Sequence, residues 1–71
     1  MDRIILFRNI REVIKAENVL LENGFSVVVR PVPSSISSEC GMCLAVQDNQ
    51  EAGAVELLEA MSLNFKIAKN G

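Results

Sequence analysis

The sequence predicts an α+β domain with the element order β-α-β-β-α-β. Four short segments rich in β-branched and aromatic residues have the composition of strands. Two longer segments place apolar residues at helical spacing behind a polar start. A chain of 71 residues suits a single domain, residues 1–71. Together these observations predict a split βαβ, or ferredoxin-like, fold, with a four-stranded antiparallel sheet and two helices on one face.

The first strand and the first helix have the clearest patterns. Residues 4–7 are apolar on both sides, as in a central, covered strand. Asn9 is predicted to cap the helix, and Glu12 to bond back to the cap residue in a capping box. Gly24 is predicted to end the helix in a left-handed conformation. One apolar face, with Ala16 at its margin, is expected to consist of Ile10, Val13, Ile14, Leu20 and Leu21.

The second half of the chain supplies the other elements. Residues 25–30 are predicted as a strand that Pro31 ends, because proline lacks the amide of a sheet ladder. Residues 42–47 form a third strand, and residues 48–51 read as a second capping box. Residues 64–68 form a fourth strand, with Phe65 and Ile67 facing inward. The inner face of the second helix is expected to consist of Ala54, Leu57, Leu58 and Met61.

Topology rules order these strands. A right-handed crossover makes strand 2 parallel to strand 1, with strand 3 between them and strand 4 beside strand 1. The second and third strands are joined by a Pro- and Ser-rich loop over residues 31–40, and long loops in compact domains are often functional. Both helices cover one sheet face, so the opposite face is expected to be covered by a partner or a second copy in a homodimer.

Composition excludes several classes of function. The net charge is −2, no segment is rich in Lys or Arg, and Tyr, Trp and His are absent, which argues against nucleic-acid binding. No apolar run approaches the roughly 18 residues of a membrane span, and the sequence shows no basic, hydrophobic leader pattern, so export is not expected. The sequence therefore predicts a cytoplasmic protein with no membrane partner and no cofactor. Its two cysteines are expected to act as thiols rather than as a structural disulfide.

Cys40 is the best candidate for chemistry. The predicted topology brings the loop that ends at Cys40 to the sheet end where the first helix starts, near Arg8, Asn9 and Arg11. A helix start and nearby cations lower the pKa of a cysteine, while Glu39 opposes that effect. Gly41 would allow close backbone approach, and Ser37 and Ser38 offer donors to an anion. The alternative is that Cys40 is an inert thiol at a strand start.

Cys40 and Cys43 also form a CxxC pair. A zinc site needs four N or S ligands, and this chain has two cysteines and no histidine, so no metal site is predicted. Cys43 falls within a predicted strand and reads as a small core residue. Two alternatives stay open. One is a redox or metal module that uses both cysteines across a dimer, and the other is a non-catalytic binding domain that uses the open sheet face.

The chain resembles a known family in four stretches: Ile5-Leu6-Phe7-Arg8, the helix with Ala16-Glu17 and Gly24, Pro31-Val32-Pro33, and Ser37-Ser38-Glu39-Cys40-Gly41. They resemble the small bacterial and archaeal proteins described as selenium/sulfur carrier-like. The resemblance implies that Cys40 and Gly41 are the site, and it assigns Cys43 no role. It also implies a carrier rather than a turnover enzyme, which would hold a persulfide or perselenide on Cys40 between a donor protein and an acceptor protein.

Overall fold

The computed structural model describes residues 3–36 and 41–69. Its elements are β1 (Arg3–Phe7), α1 (Ile10–Glu22), β2 (Val27–Pro31), β3 (Met42–Val46), a 3-10 turn (Asp48–Gln50), α2 (Glu51–Ala60) and β4 (Phe65–Lys69). The predicted α+β class and element order are confirmed. The predicted site residues Ser37, Ser38 and Cys40, together with Glu39, lie outside the described residues.

The four strands form one sheet in the order β2-β3-β1-β4, with antiparallel neighbours. The strand order predicted from the right-handed crossover is therefore confirmed. In the register, Cys43 of β3 pairs with Leu6 of β1 on one side and with Arg30 of β2 on the other. The central strands β1 and β3 carry most of the buried strand residues, and β2 and β4 are the edges.

The second strand is shifted from its predicted bounds. It begins at Val27, and the N–H of the preceding Ser26 donates to Gln50 Oε1 at 2.9 Å instead of to a strand. It also includes Pro31, which pairs with Met42. Proline is tolerated there because β2 is an edge strand, where one side of the backbone needs no ladder donor.

The core lies between the sheet and the two helices. Ile5, Phe7, Leu44 and Val46 point from the central strands toward the helices and are buried, and Val27 joins them from β2. They pack with the helical residues Val13, Ala16, Leu20, Ala54 and Leu58. Phe25, Val29, Leu57, Leu63 and Phe65 are partly buried against this cluster. The core is small, as expected for a domain of this length.

The buried face of α1 differs from the predicted one. Val13, Ala16 and Leu20 are its buried residues, so Ala16 is fully buried and does not lie at the margin of the buried face as predicted. Ile10, Ile14 and Leu21, predicted to be inward, are 47%, 50% and 49% exposed. At 3.6 residues per turn the centres of the two sets lie about 100° apart around the helix, so one helix cannot bury both on a flat sheet. The small Ala16 side chain permits a close approach of helix and sheet.

The start of α2 also differs from prediction. Asp48 opens a 3-10 turn, Gln50 precedes α2, and no side chain caps the helix, so the predicted second capping box is wrong. The carboxylates of Asp48 and Glu51 instead lie 3.1 and 3.0 Å from Arg3 Nε. Their attraction to the cation competes with capping of the helix amides.

Packing explains the inner face of α2. Ala54 and Leu58 are buried and Leu57 is partly buried, as predicted, whereas Met61 follows the helix and is 39% exposed. A Cβ added at Gly53 would lie 3.2 Å from two ring atoms of Phe25. The glycine therefore makes room for this ring at a cost in helix propensity of about 1 kcal/mol.

On the sheet face turned away from the helices, the side chains of the central strands are buried or half-buried, whereas the edge strands carry exposed side chains. Ile4, Cys43 and Ala45 belong to this face by strand alternation, and all three are buried. Val28, on the edge strand β2, is 50% exposed on this face. Ile67, on the edge strand β4, lies on the opposite face, the one that the helices cover, and is 37% exposed. In the part of the chain that the structure describes, no helix is long and apolar enough to cross a membrane.

Candidate functional site

A hydrogen bond closes the base of the loop between β2 and β3. The Val32 N–H donates to the Gly41 carbonyl at 2.9 Å, directly beyond the Pro31–Met42 pair. The loop then turns at once, because the Ile36 N–H donates to the Pro33 carbonyl at 2.9 Å. The Val32–Gly41 bond therefore joins the point where the chain leaves β2 to the point where it enters β3, and the second bond forms a turn just after β2.

The helix α1 starts at the same end of the sheet. Leu6 pairs with Cys43 in antiparallel register. The end of β1 at Phe7 and the start of β3 at Met42 therefore lie at the same end of the sheet. Asn9, the cap of α1, follows Phe7 by two residues. The described ends of the loop and the start of α1 thus share one end of the molecule, which is the arrangement that the predicted topology requires.

Asn9 has a defined structural task at this end. Its Oδ1 accepts the Glu12 N–H at 2.9 Å, which confirms the predicted cap. The amides of Ile10 and Arg11 precede the first intrahelical bond and have no acceptor within the helix. The start of α1 therefore presents N–H donors and the positive end of the helix dipole.

The reciprocal half of the predicted capping box does not form. In the described part of the chain, Glu12 Oε1 is buried and accepts no hydrogen bond. Glu12 therefore contributes a carboxylate in the first turn of α1, where the helix dipole favours negative charge. It does not supply the second bond that the sequence pattern suggested.

Arg8 and Arg11 flank the start of α1 and are both exposed. Arg8 directly follows β1, and Arg11 is the second residue of the helix. Exposed guanidinium groups at a helix start add to the positive potential there, although solvent and salt screen each charge. The start of α1 therefore attracts anions through cations that stay exposed to solvent.

Gly41 adopts a left-handed backbone conformation, which favours glycine at this position. Its φ is +79°, and among the described residues a Cβ added there would meet no atom within 4 Å. Space is therefore available, and the constraint is the left-handed backbone, which costs an L-residue roughly 1–2 kcal/mol. Gly41 sets the direction in which the chain enters β3.

Cys43 lies in β3 and is buried, 1% exposed, as predicted for a strand residue. Its neighbours across the sheet are Leu6 and Arg30. Within residues 3–36 and 41–69, no group of three His, Cys, Asp or Glu side chains is arranged to hold a metal ion. Burial makes Cys43 poorly accessible to another protein.

Sequence reasoning missed two features of this end. The Val32–Gly41 bond was not predicted, although Pro31 and Pro33 indicate where the ladder stops and a closing bond is needed. The pairing of Phe7 with Phe65 was also missed. Cross-strand aromatic pairs stabilise a sheet. The signal available in the sequence was an aromatic residue at the end of β1 and another at the start of β4.

Comparison with known proteins identifies the family. A family model described as "Putative Se/S carrier protein-like" matches residues 2–68. A search of curated proteins and a search of solved structures gave no match. The family model covers every described strand and helix of the chain except Lys69, the last residue of β4, and it includes the segment between β2 and β3 that contains Cys40. The chain therefore belongs to the selenium/sulfur carrier protein-like family.

Proposed function

We propose that this protein carries sulfur or selenium as a persulfide or perselenide on Cys40 and passes it to a partner enzyme. The observation that carries the proposal is membership of the Se/S carrier-like family over residues 2–68. Cys40 is the cysteine next to Gly41, in the segment most specific to the family resemblance. Cys43 is buried in β3 and is poorly suited to meeting another protein.

The described surroundings support an anionic sulfur at this end. The first amides of α1 and the exposed cations Arg8 and Arg11 lie at the sheet end where the loop begins and ends. Such a potential favours a thiolate over a thiol. Since the thiolate is already the nucleophile, transfer needs no histidine as a general base, which suits a chain without histidine.

The proposed transfer balances without an added oxidant. The Cys40 thiolate attacks the outer sulfur of a donor persulfide, one S–S bond forms as another breaks, and the donor leaves as a thiolate. Delivery reverses the roles, because a nucleophile on the acceptor attacks the outer chalcogen and Cys40 leaves as the thiolate. Selenium follows the same route as a perselenide. The required partners are a donor protein and an acceptor protein.

Intact mass spectrometry of protein purified without reductant tests the proposal. The wild-type protein, incubated with a persulfide donor and separately with selenide and an oxidised thiol, should gain the mass of one chalcogen atom. Treatment with dithiothreitol should remove this mass. Cys40→Ser should not gain it. Loading of Cys40→Ser to the wild-type level would contradict the proposal.

Cys43→Ala is the matched control and also separates the alternative function. Under the carrier proposal it stays folded and loads as the wild type does, because Cys43 is a packing residue of β3. Equal loss of loading in both single variants, together with stoichiometric zinc in the wild type only, would instead support a two-cysteine metal module.

A further inference from the structure

The hydrogen-bonding pattern of β2 follows from the bond at the base of the loop. The Val32 N–H donates to the Gly41 carbonyl at 2.9 Å, one position beyond the last pair of the β2–β3 ladder. In an antiparallel ladder, residues that bond to the neighbouring strand alternate with residues that do not. Counting back from Val32, the residues that bond to β3 are Arg30 and Val28.

The residues between them direct their backbone groups away from the sheet. These are Val27 and Val29, each with an N–H and a C=O, and Pro31, which has a C=O alone. β2 is an edge strand, and in the described part of the chain no backbone hydrogen bond reaches these outward groups. β2 therefore presents a row of donors and acceptors that another strand could pair with.

The side chains of β2 suit an apolar strand beside it. Val28 is 50% exposed on the face turned away from the helices, and Val29 is half-buried against the core. Both are β-branched, which favours extended pairing. Arg30 is the charged residue of this strand and is exposed on the same face as Val28. A neighbour with an apolar residue opposite Val28 and an acidic residue opposite Arg30 would be complementary.

The other edge of the sheet is less suited to pairing. The edge strand β4 has two lysines among its five residues, and Lys66 is exposed. Lysine on an edge strand opposes the addition of a further strand. β2 has no lysine and contains a run of three valines. Of the two edges, β2 is therefore the one that can accept another strand.

We propose that the outer edge of β2 binds an extended segment of another protein, which adds to the sheet as an antiparallel fifth strand. The segment places apolar residues opposite Val27, Val28 and Val29 and an acidic residue opposite Arg30. A segment fits better than a second copy of this chain. Because α1 packs on β2, a copy paired through β2 would have to fit its own α1 beside the first on one face of the joined sheet.

This inference goes beyond the proposed carrier function. A segment paired with β2 ends beside the base of the loop, because Val32 directly follows the last residue of the strand. Binding through the backbone of β2 involves no cysteine, so Cys40→Ser should bind the segment as the wild type does. The two proposals can therefore fail separately.

Amide hydrogen exchange followed by NMR tests the docking site with a synthetic peptide. The probe is acetyl-Thr-Val-Glu-Val-Ile-Val-Thr-amide, which aligns Glu opposite Arg30 and Ile opposite Val28. N-methylation of its Glu and Ile blocks the outer edge of the probe, so that it does not stack on itself. Near-saturating probe should slow exchange at Val27 and Val29 by about tenfold or more and leave Val28 and Arg30 unchanged. The control peptide is methylated instead on the two valines beside Ile, and it should have no effect.

Val29→Pro should abolish binding of the probe and leave the fold intact, because it removes an outward N–H and no bond to β3. Ile67→Pro is the matched control. The same alternation, followed across β3 and β1, directs the Ile67 N–H away from β1, so this variant should bind as the wild type does. Replacing Glu of the probe by Lys should weaken binding about threefold, and Arg30→Glu should reverse that preference.

Four results would overturn the inference. They are the absence of protection at millimolar probe, equal protection by the control peptide, loss of binding in Ile67→Pro with binding kept in Val29→Pro, and a charge preference that Arg30→Glu does not change. Sedimentation velocity without peptide adds one more. A wild-type dimer that Val29→Pro alone makes monomeric would show that a second copy occupies this edge.

Discussion

At the base of the loop, Gly41 and Val32 act through their backbone atoms, whereas Asn9 acts through its side chain. Gly41 supplies a left-handed backbone, and the Val32 N–H holds the Gly41 carbonyl. Asn9 binds the Glu12 amide and leaves the earlier amides of α1 without an intrahelical acceptor. The site thus combines a fixed chain direction with a positive helix end.

We predict that Cys40 reacts faster than Cys43 and that its pKa lies below the ordinary value of about 8.5. The start of α1, with Arg8 and Arg11, favours the thiolate at this sheet end, whereas Cys43 is buried. Iodoacetamide alkylation of the single-cysteine variants Cys43→Ala and Cys40→Ser, followed across pH, measures both rates. If the alkylation rate of Cys40 reaches half its maximum at a pH above the free-cysteine pKa of about 8.5, the electrostatic argument is wrong.

At the scale of secondary structure, the two helices begin in different ways. Asn9 caps α1 through its side chain, whereas α2 follows a 3-10 turn and has no side-chain cap. Both starts carry a polar residue followed three positions later by Glu. Only the first forms a cap, because at the second Arg3 attracts the Asp48 and Glu51 carboxylates.

The different starts predict different costs of substitution. Asn9→Ala should lower the free energy of unfolding by about 1 kcal/mol, because the Glu12 amide loses its acceptor. Asp48→Ala should cost well under about 1 kcal/mol, because it removes one arm of a partly exposed ion pair. Urea unfolding measures both values. An Asp48→Ala cost equal to that of Asn9→Ala would show that Asp48 acts as a cap.

At the scale of the whole molecule, stability depends on one thin layer between sheet and helices. Leu20 and Leu44 are fully buried in this layer, while Leu21, adjacent to Leu20, is 49% exposed. A small domain has a modest free energy of unfolding, so each core side chain is a large share of the total.

Leu20 and Leu21 form a matched pair that tests this assignment. Leu20→Ala should cost about 2–5 kcal/mol, because it removes buried methyl groups and leaves a cavity. Leu21→Ala should change stability by less than about 1 kcal/mol when the protein is dilute enough to be monomeric. Thermal and urea unfolding of both variants provide the comparison. Equal costs would mean that both stripes of α1 are buried in the monomer.

The element order, the strand order and the first helix cap were all predictable from local patterns in the sequence. These features depend on local periodicity, on turn residues such as Gly24 and on the handedness of crossovers, all of which can be read without knowing what packs on what. The confirmed expectations are of this kind. Cys40 was chosen at the same level, from its loop and its family segment, and its role stays a prediction.

Two features depend on long-range packing: which apolar stripe of α1 contacts the sheet, and the pairing of the Asp48 and Glu51 carboxylates with Arg3. Both stripes have helical spacing, so periodicity cannot rank them; contact with the sheet selects the one that contains Ala16, because a small side chain lets the helix approach closely. Likewise, Asp48 sits in a capping pattern, but Arg3, distant in sequence, lies beside it in space. Long-range proximity, which no local pattern encodes, decided both outcomes.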